Sequence, residues 1–276
     1  MKFGICCGPG SFAVDSTDQP LETIPRMMDV LQASGADYVE FSAGAVSPEE
    51  PEERFETLRA AMAPYPLRVE TFNSFIPGHY RITGPDVRIE RVLGYCEIAL
   101  RRCQALGGAV VVLGSSGARR RPEGFDAELA ERQFIEFCRE LGPIASETGI
   151  VIAIEPLNRK EDNLLNSVAD GIRLVDLVGH PSIQLLADLY HISQEKEPME
   201  NVAMAGSRLR HTHCADLGRM APGFALEGEE DFLGFFRSLR RAGYDARCSF
   251  EGILTDIKAQ SGPLLRILRQ RWAESA

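Results

Sequence analysis

At 276 residues with 44% hydrophobic content the chain can bury a large core, and 40 acidic against 30 basic residues give a formal net charge of −10. That balance argues against a nucleic-acid backbone as the main partner. The only tight basic cluster, Arg119-Arg120-Arg121, is a small electrostatic footprint and reads as a solvated loop.

Strand-like and helix-like runs alternate from one end to the other. Phe3 to Cys7 reads as the first strand and Leu21 to Ala33 as the first helix, with Gly35 as its stop. Tyr38-Val-Glu-Phe-Ser is the second strand, and the next helix runs from Pro51 to Met62, with Glu52 and Glu53 suiting its dipole. Arg68-Val-Glu-Thr-Phe is the third strand, followed by a Pro- and Gly-rich loop and a long helix over Val87 to Leu106. Ala109-Val-Val-Val-Leu is the clearest buried strand, and a helix follows over roughly Ala127 to Glu147. Val151 to Ile154 is another continuous apolar run, and Pro156 ends its ladder for want of an N–H. A helix near Val168 to Val178 leads to a strand ending at Asp188, and a poorly patterned segment holds Glu195 to Pro198. The strand at His213, a helix over Asp231 to Ala242, the strand to Glu251 and a helix through Ile257 to Trp272 complete the chain.

These are eight strand–helix units with no linker or low-complexity tract between them, so the expected fold is α/β, a (β/α)₈ TIM barrel forming a single domain over residues 1–276. An open doubly wound sheet is the competing arrangement, but no GxGxxG follows the first strand. No stretch has the shape of a signal peptide or the apolar length of a bilayer span, so no membrane partner is expected. The seven cysteines, at 6, 7, 96, 103, 138, 214 and 248, lack CxxC or disulfide spacing and read as reduced thiols of a cytoplasmic protein. No stretch is apolar enough to mark a subunit interface, which leaves a homo-oligomer open.

Four successive strands deliver an ionisable side chain at the C-terminal end, where barrel enzymes keep their chemistry: Glu155, Asp188, His213 and Glu251. Three carboxylates crowded at one point raise one another's pKa values unless something positive sits among them. A divalent cation meets that need and the imidazole adds a fourth ligand. The oxygen-dominated set favours Mn²⁺, with Mg²⁺ or Co²⁺ able to substitute and Zn²⁺ disfavoured. Of His211 and His213, two apart and so on one strand face, the one nearer the rim is taken as the ligand and His211 as packed beneath it. His191 is read as facing the cavity or capping its loop, and Arg219 as suited to hydroxyl or carboxylate oxygens.

At these residues the chain resembles the xylose isomerase-like TIM barrels, the sugar phosphate isomerases and epimerases, and most closely the D-tagatose and D-psicose 3-epimerase type. The resemblance is carried by Glu155-Pro-Leu-Asn-Arg-Lys-Glu161, Asp188-Leu-Tyr-His191, His211-Thr-His213 with Asp216, Arg219-Met-Ala-Pro-Gly223 and Gly243-Tyr-Asp-Ala-Arg-Cys-Ser-Phe-Glu251. It covers the C-terminal half well and the N-terminal half mainly by strand–helix rhythm. It implies that Glu155, Asp188, His213 and Glu251 hold the metal, that Glu155 and Glu251 transfer protons, and that Glu161, His191 and Arg219 contact oxygens of a small sugar or polyol. The implied chemistry is proton abstraction next to a carbonyl through an enediolate, with two glutamates on opposite faces inverting the carbon between them.

One departure concerns the first strand, where Phe3-Gly-Ile-Cys-Cys-Gly offers small residues instead of aromatic ones, with Gly8 and Gly10 leaving room. The Arg119–Arg121 loop and Arg81 are therefore read as able to reach a phosphate or carboxylate. On the same scaffold the alternatives are an aldose–ketose isomerase of hydroxypyruvate type and a keto-cyclitol or dehydroshikimate dehydratase. A DNA-repair (AP) endonuclease and a non-catalytic polyol-binding barrel stand further off, the former for want of histidines and of a basic groove.

Overall fold

In the computed structural model, which describes residues 1–8, 11 and 20–276, eight strands close into one all-parallel barrel in the order of the chain. They are β1 (Lys2–Cys6), β2 (Tyr38–Ser42), β3 (Val69–Asn73), β4 (Val110–Leu113), β5 (Val151–Ile154), β6 (Ile183–Asp188), β7 (Leu209–Cys214) and β8 (Arg247–Phe250), with β8 pairing back onto β1. The α/β barrel expected from the alternation is the observed fold. Helices α1 (Ile24–Ser34), α2 (Glu52–Met62), α3 (Ile89–Ala105), the short α4 (Ser116–Arg119), α5 (Ala127–Thr148) and α6 (Val168–Val178) follow the first five strands. The rest are α7 (Leu189–Glu195), α8 (Glu200–Ala205), α9 (Phe232–Arg241) and α10 (Ile257–Glu274).

Local chemistry sets the helix boundaries. Asp126 accepts from Leu129 N–H at the start of α5, Ser167 from Asp170 N–H at α6, and Asp256 from Ala259 N–H at α10, each satisfying a donor that has no partner within its helix. Gly35, Gly149 and Gly179 close α1, α5 and α6 in the left-handed conformation. The poorly patterned Glu195 to Pro198, between β6 and β7, ends α7 and leads into α8, two helices too short to show a period in sequence.

Most apolar burial lies between the strands and the helix layer. There Phe236 of α9 meets Phe3 of β1 edge-on at 6.1 Å, and full burial of such a ring contributes about 2 kcal/mol. The barrel interior is divided. Its β4–β6 side is apolar, filled by Val110, Val112, Ala153 and Leu186. The opposite side is polar, with Tyr38, Glu40, Thr71, His211, His213 and Ser249 all fully buried. Gly4 faces the Tyr38 ring, and a Cβ there would overlap it.

Two one-residue register shifts decide which side chains face that interior. Leu209 pairs with Leu185 but His211 pairs with Leu186, so Arg210 is an extra, exposed residue in β7. Leu209 accordingly packs toward the helices while His211 and His213 point inward. The same happens in β3, where Val69 pairs with Val39 and Thr71 with Glu40, leaving Glu70 as the extra residue. Thr71 and Asn73 thereby turn inward.

Candidate active site at the C-terminal rim

Glu155 and Glu251 each follow the last residue of a strand, and their N–H groups still donate to the neighbouring strand, to Leu113 O at 3.3 Å and Cys214 O at 3.1 Å. Asp188 ends β6 and caps α7, its Oδ1 accepting from Tyr190 N–H at 3.0 Å. His213 sits in β7. Its Nδ1 lies 3.2 Å from Glu155 Oε1 and 3.6 Å from Glu251 Oε2. One potential ligand atom from each of Glu155, Asp188, His213 and Glu251 lies within 4.8 Å of all the others. The structure thus brings together the four rim residues singled out in the sequence.

Burial and crowding shift the proton affinities of Asp188, Glu155 and His213. Burial, then the Glu155 carboxylate, pushes Asp188 up to about 8. Burial raises Glu155 as well, against the opposing pull of the His213 bond. Burial works against the His213 imidazolium, yet the Glu40 and Glu251 carboxylates hold its pKa well above the usual histidine value. Asp188 Oδ2 is buried with no hydrogen-bond partner among the described residues. An orphaned carboxylate oxygen among three further oxygen- and nitrogen-donor side chains fits a divalent cation.

Glu161, His191 and Arg219 line the cavity of about 320 Å³ that opens over this cluster. Glu161 Oε1 accepts from Asn158 Nδ2 at 2.9 Å, and Oε2 is 3.9 Å from Arg219 Nη2. His191 Nδ1 accepts from Asn158 N–H at 3.1 Å, so its hydrogen sits on Nε2, 3.5 Å from Asp188 Oδ2. Burial, reinforced by the Arg219 charge, pulls His191 down to about 3, so the ring is neutral. Arg219 stacks over Tyr190 at 4.4 Å and reaches to 3.7 Å from Glu251 Oε2. Its backbone is left-handed, φ 62°, an uncommon state for a long side chain that the surrounding loop enforces. Among the described residues, a larger cleft of about 820 Å³, between α1 and the start of α10, gathers no comparable cluster of buried carboxylates and imidazoles.

Sequence reading missed two contributors, Asn73 and Glu40. Asn73, at the end of β3, donates through Nδ2 to Glu251 Oε1 at 2.8 Å. Glu40 of β2 accepts from both imidazoles of β7, His211 Nε2 at 2.7 Å and His213 Nε2 at 2.9 Å. His211 is packed beneath His213 as expected, with ring centroids 4.9 Å apart. Asp216 fastens the rim loop by accepting from the N–H groups of Leu217, Gly223 and Glu230.

The arginine readings need correction. Arg119 is not on a solvated loop but fully buried, its Nε 2.7 Å from Asp162 Oδ2, because the single turn of α4 points it under the 158–163 segment. Arg81 donates to the backbone carbonyls of Gly117, Thr83 and Arg120, and Arg121 to that of Phe125. Gly10 lies outside the described residues. Cys214 and Cys248, which flank the site, are buried packing groups with Sγ atoms 3.5 Å apart. No described helix is long and apolar enough to cross a membrane.

The family described as the xylose isomerase-like TIM barrel matches residues 28–270. Among curated relatives, the L-ribulose 3-epimerase of Methylomonas sp. (strain DH-1) is 31% identical over 139 residues, 50% of this chain and 48% of that protein. The 3-dehydro-D-guloside 4-epimerase of Escherichia coli (strain K12) is 34% identical over 116 residues, 41% of this chain and 43% of that one. The chain thus matches less than half the length of either. A crystal structure of D-psicose 3-epimerase in the presence of D-fructose superposes with a TM-score of 0.82 at 18% identity, covering 99% of both chains. The apo 3-keto-D-glucoside 4-epimerase of E. coli superposes at 0.77 with 23% identity, covering 98% of this chain and 99% of that one. At these identities the structural likeness speaks to the fold.

Proposed function

This chain belongs to the xylose isomerase-like TIM barrel family, and on that premise we propose that it is a divalent-metal-dependent sugar epimerase of the ketose 3-epimerase type. The observation that carries the reading is the convergence of Glu155, Asp188, His213 and Glu251 within 4.8 Å at the ends of four consecutive strands. Those residues would hold the cation, with Mn²⁺ favoured by the ligand set. When bound, it supplies Lewis-acid polarisation of a carbonyl and acidification of the adjacent C–H.

The chain's own groups supply the rest. Glu155 and Glu251 face one another across His213, so one removes a proton from the substrate carbon and the other returns one to the opposite face. Neutral His191 offers its Nε2–H to a substrate oxygen, and the Arg219 guanidinium, with Glu161 beside it, orients neighbouring hydroxyls. Asn73 keeps Glu251 aimed into the cavity. The same reading takes residues 1–276 as one barrel domain, working in the cytoplasm, where its seven thiols stay reduced.

The test is to strip the purified protein with EDTA and incubate it in D₂O with L-ribulose, D-psicose and a 3-keto-glycoside, with and without Mn²⁺. The expected result is Mn²⁺-dependent epimer formation with deuterium entering at the inverted carbon. Water loss instead of exchange would move the chain to the dehydratases, and full turnover without metal would overturn the reading.

A further inference from the structure

His213 has one ring nitrogen for each of two environments. Nδ1 faces Glu155 and Glu251 at the rim, and Nε2 faces down the barrel to Glu40 Oε1 at 2.9 Å. Glu40 is fully buried and belongs to none of the functions assigned so far. Its carboxylate is an acceptor only, and four groups capable of donating converge on it: His213 Nε2, His211 Nε2 at 2.7 Å, Thr71 Oγ1 at 2.8 Å and Ser249 Oγ at 2.6 Å. Tyr38 OH, 2.8 Å from Ser249 Oγ, closes the relay by donating to the hydroxyl that donates to Glu40. His211 Nδ1 has no partner among the described residues, as suits the lone-pair nitrogen of a ring whose hydrogen is committed to Glu40.

We propose that Glu40 is the positioning residue of the rim site: its carboxylate holds His213 with the hydrogen on Nε2 and so presents the Nδ1 electron pair to the point shared by Glu155, Asp188 and Glu251. The proposal rests on the reading of that point as a cation site. A carboxylate behind a ligating imidazole fixes the ring's orientation and tautomer and raises its basicity. Glu40, His211 and His213 also bring ligand atoms within 4.8 Å of each other, as an ion centre would. A second ion there, however, needs both Nε2 hydrogens removed and two hydroxyl donors redirected inside a closed core.

Glu40→Gln tests this at constant volume. Three of the four donors reach Oε2, so the amide oxygen takes that side and the NH₂ group faces His213 Nε2. An NH₂ there needs an acceptor, which moves the imidazole hydrogen to Nδ1 and blocks the rim. Calorimetric titration of the metal-free proteins with Mn²⁺ is expected to show one equivalent bound by the wild type and about 10- to 100-fold weaker binding by the folded variant. Histidine ¹⁵N spectra of the Mg²⁺-loaded forms should place the His213 hydrogen on Nε2 in the wild type and on Nδ1 in the variant, a change that a merely structural role would not produce. Unchanged Mn²⁺ affinity in a folded variant overturns the proposal. So does a second equivalent of Mn²⁺ that the substitution abolishes, since Glu40 would then be a ligand. Absence of Mn²⁺ binding by the wild type defeats the cation site itself, and this role with it. Should the variant not fold, the wild-type spectrum decides, and a hydrogen on Nδ1 in the loaded form overturns the assignment.

Discussion

Gly114 and Glu155 touch across the ends of β4 and β5: Leu113 pairs with Ile154, and a methyl group built on Gly114 would stand against Glu155 Oε2. Gly114 does not adopt a left-handed backbone, so the obstacle to a side chain is the carboxylate alone. Gly114→Ala should change stability by no more than about 1 kcal/mol while displacing the carboxylate. Misplacing a reacting group by about 1 Å lowers kcat by about 10²-fold. Denaturant titration and steady-state kinetics on the same preparation check both halves.

Glu155→Gln and Glu251→Gln remove a base and a ligand charge each. Both variants should fold and lose about 10²- to 10⁴-fold in turnover. Deuterium wash-in from one face only, in one variant, would identify which glutamate serves which face.

Asn73 lines the rim cavity and holds the Glu251 carboxylate through its Nδ2. Loss of a hydrogen bond to a charged acceptor costs about 1.5–3 kcal/mol, so Asn73→Ala should lower kcat by about 10- to 100-fold. Thermal unfolding of the two proteins shows whether the loss is confined to activity.

Arg119 and Asp162 form a fully buried ion pair, with Arg119 Nη1 also 3.0 Å from Leu113 O at the end of β4. Arg119→Met strands the Asp162 carboxylate and should cost about 3–5 kcal/mol, whereas Arg119→Met combined with Asp162→Leu should recover most of that. Urea unfolding of the three variants gives the comparison.

His191 carries a pH signature. Its folded pKa is lowered to about 3, against about 6.5 in the unfolded chain, so the folded form binds fewer protons between those values. Its stabilising contribution is complete above the unfolded value and is lost as pH falls toward the folded one. In metal-free protein, the stability difference between wild type and His191→Gln should therefore shrink by up to about 1.4 kcal/mol per pH unit below about pH 6. A difference that grows on acidification would contradict the buried, neutral ring.

The architecture was legible because buried parallel strands announce themselves as apolar runs, as in Val110–Leu113, ended by Gly114, and Val151–Ile154, ended by Glu155 and Pro156. Glu155 and Asp188 were legible for the same reason, since each closes such a run, whereas His213 and Glu251 come at the end of strand-like runs that carry polar residues. Glu40 was not legible, because its meaning lies in His211, 171 positions away, and within Tyr38-Val-Glu-Phe-Ser it is one polar residue on an alternating strand. Arg119 was misread because three adjacent arginines look alike until a helical turn separates their directions. α7 and α8 escaped because helices of 7 and 6 residues complete too few turns to establish a stripe.

The extra residue in β7 means that this strand changes phase between Leu209 and His211. Side-chain direction along a strand is a parity, so a β7 that kept Arg210 but ran without the bulge would put both imidazoles on the face of Leu209, out among the helices, much as a frameshift garbles everything downstream of it. Comparison of homologous chains along β7 is therefore safest when counted backward from Cys214, where the phase is already set.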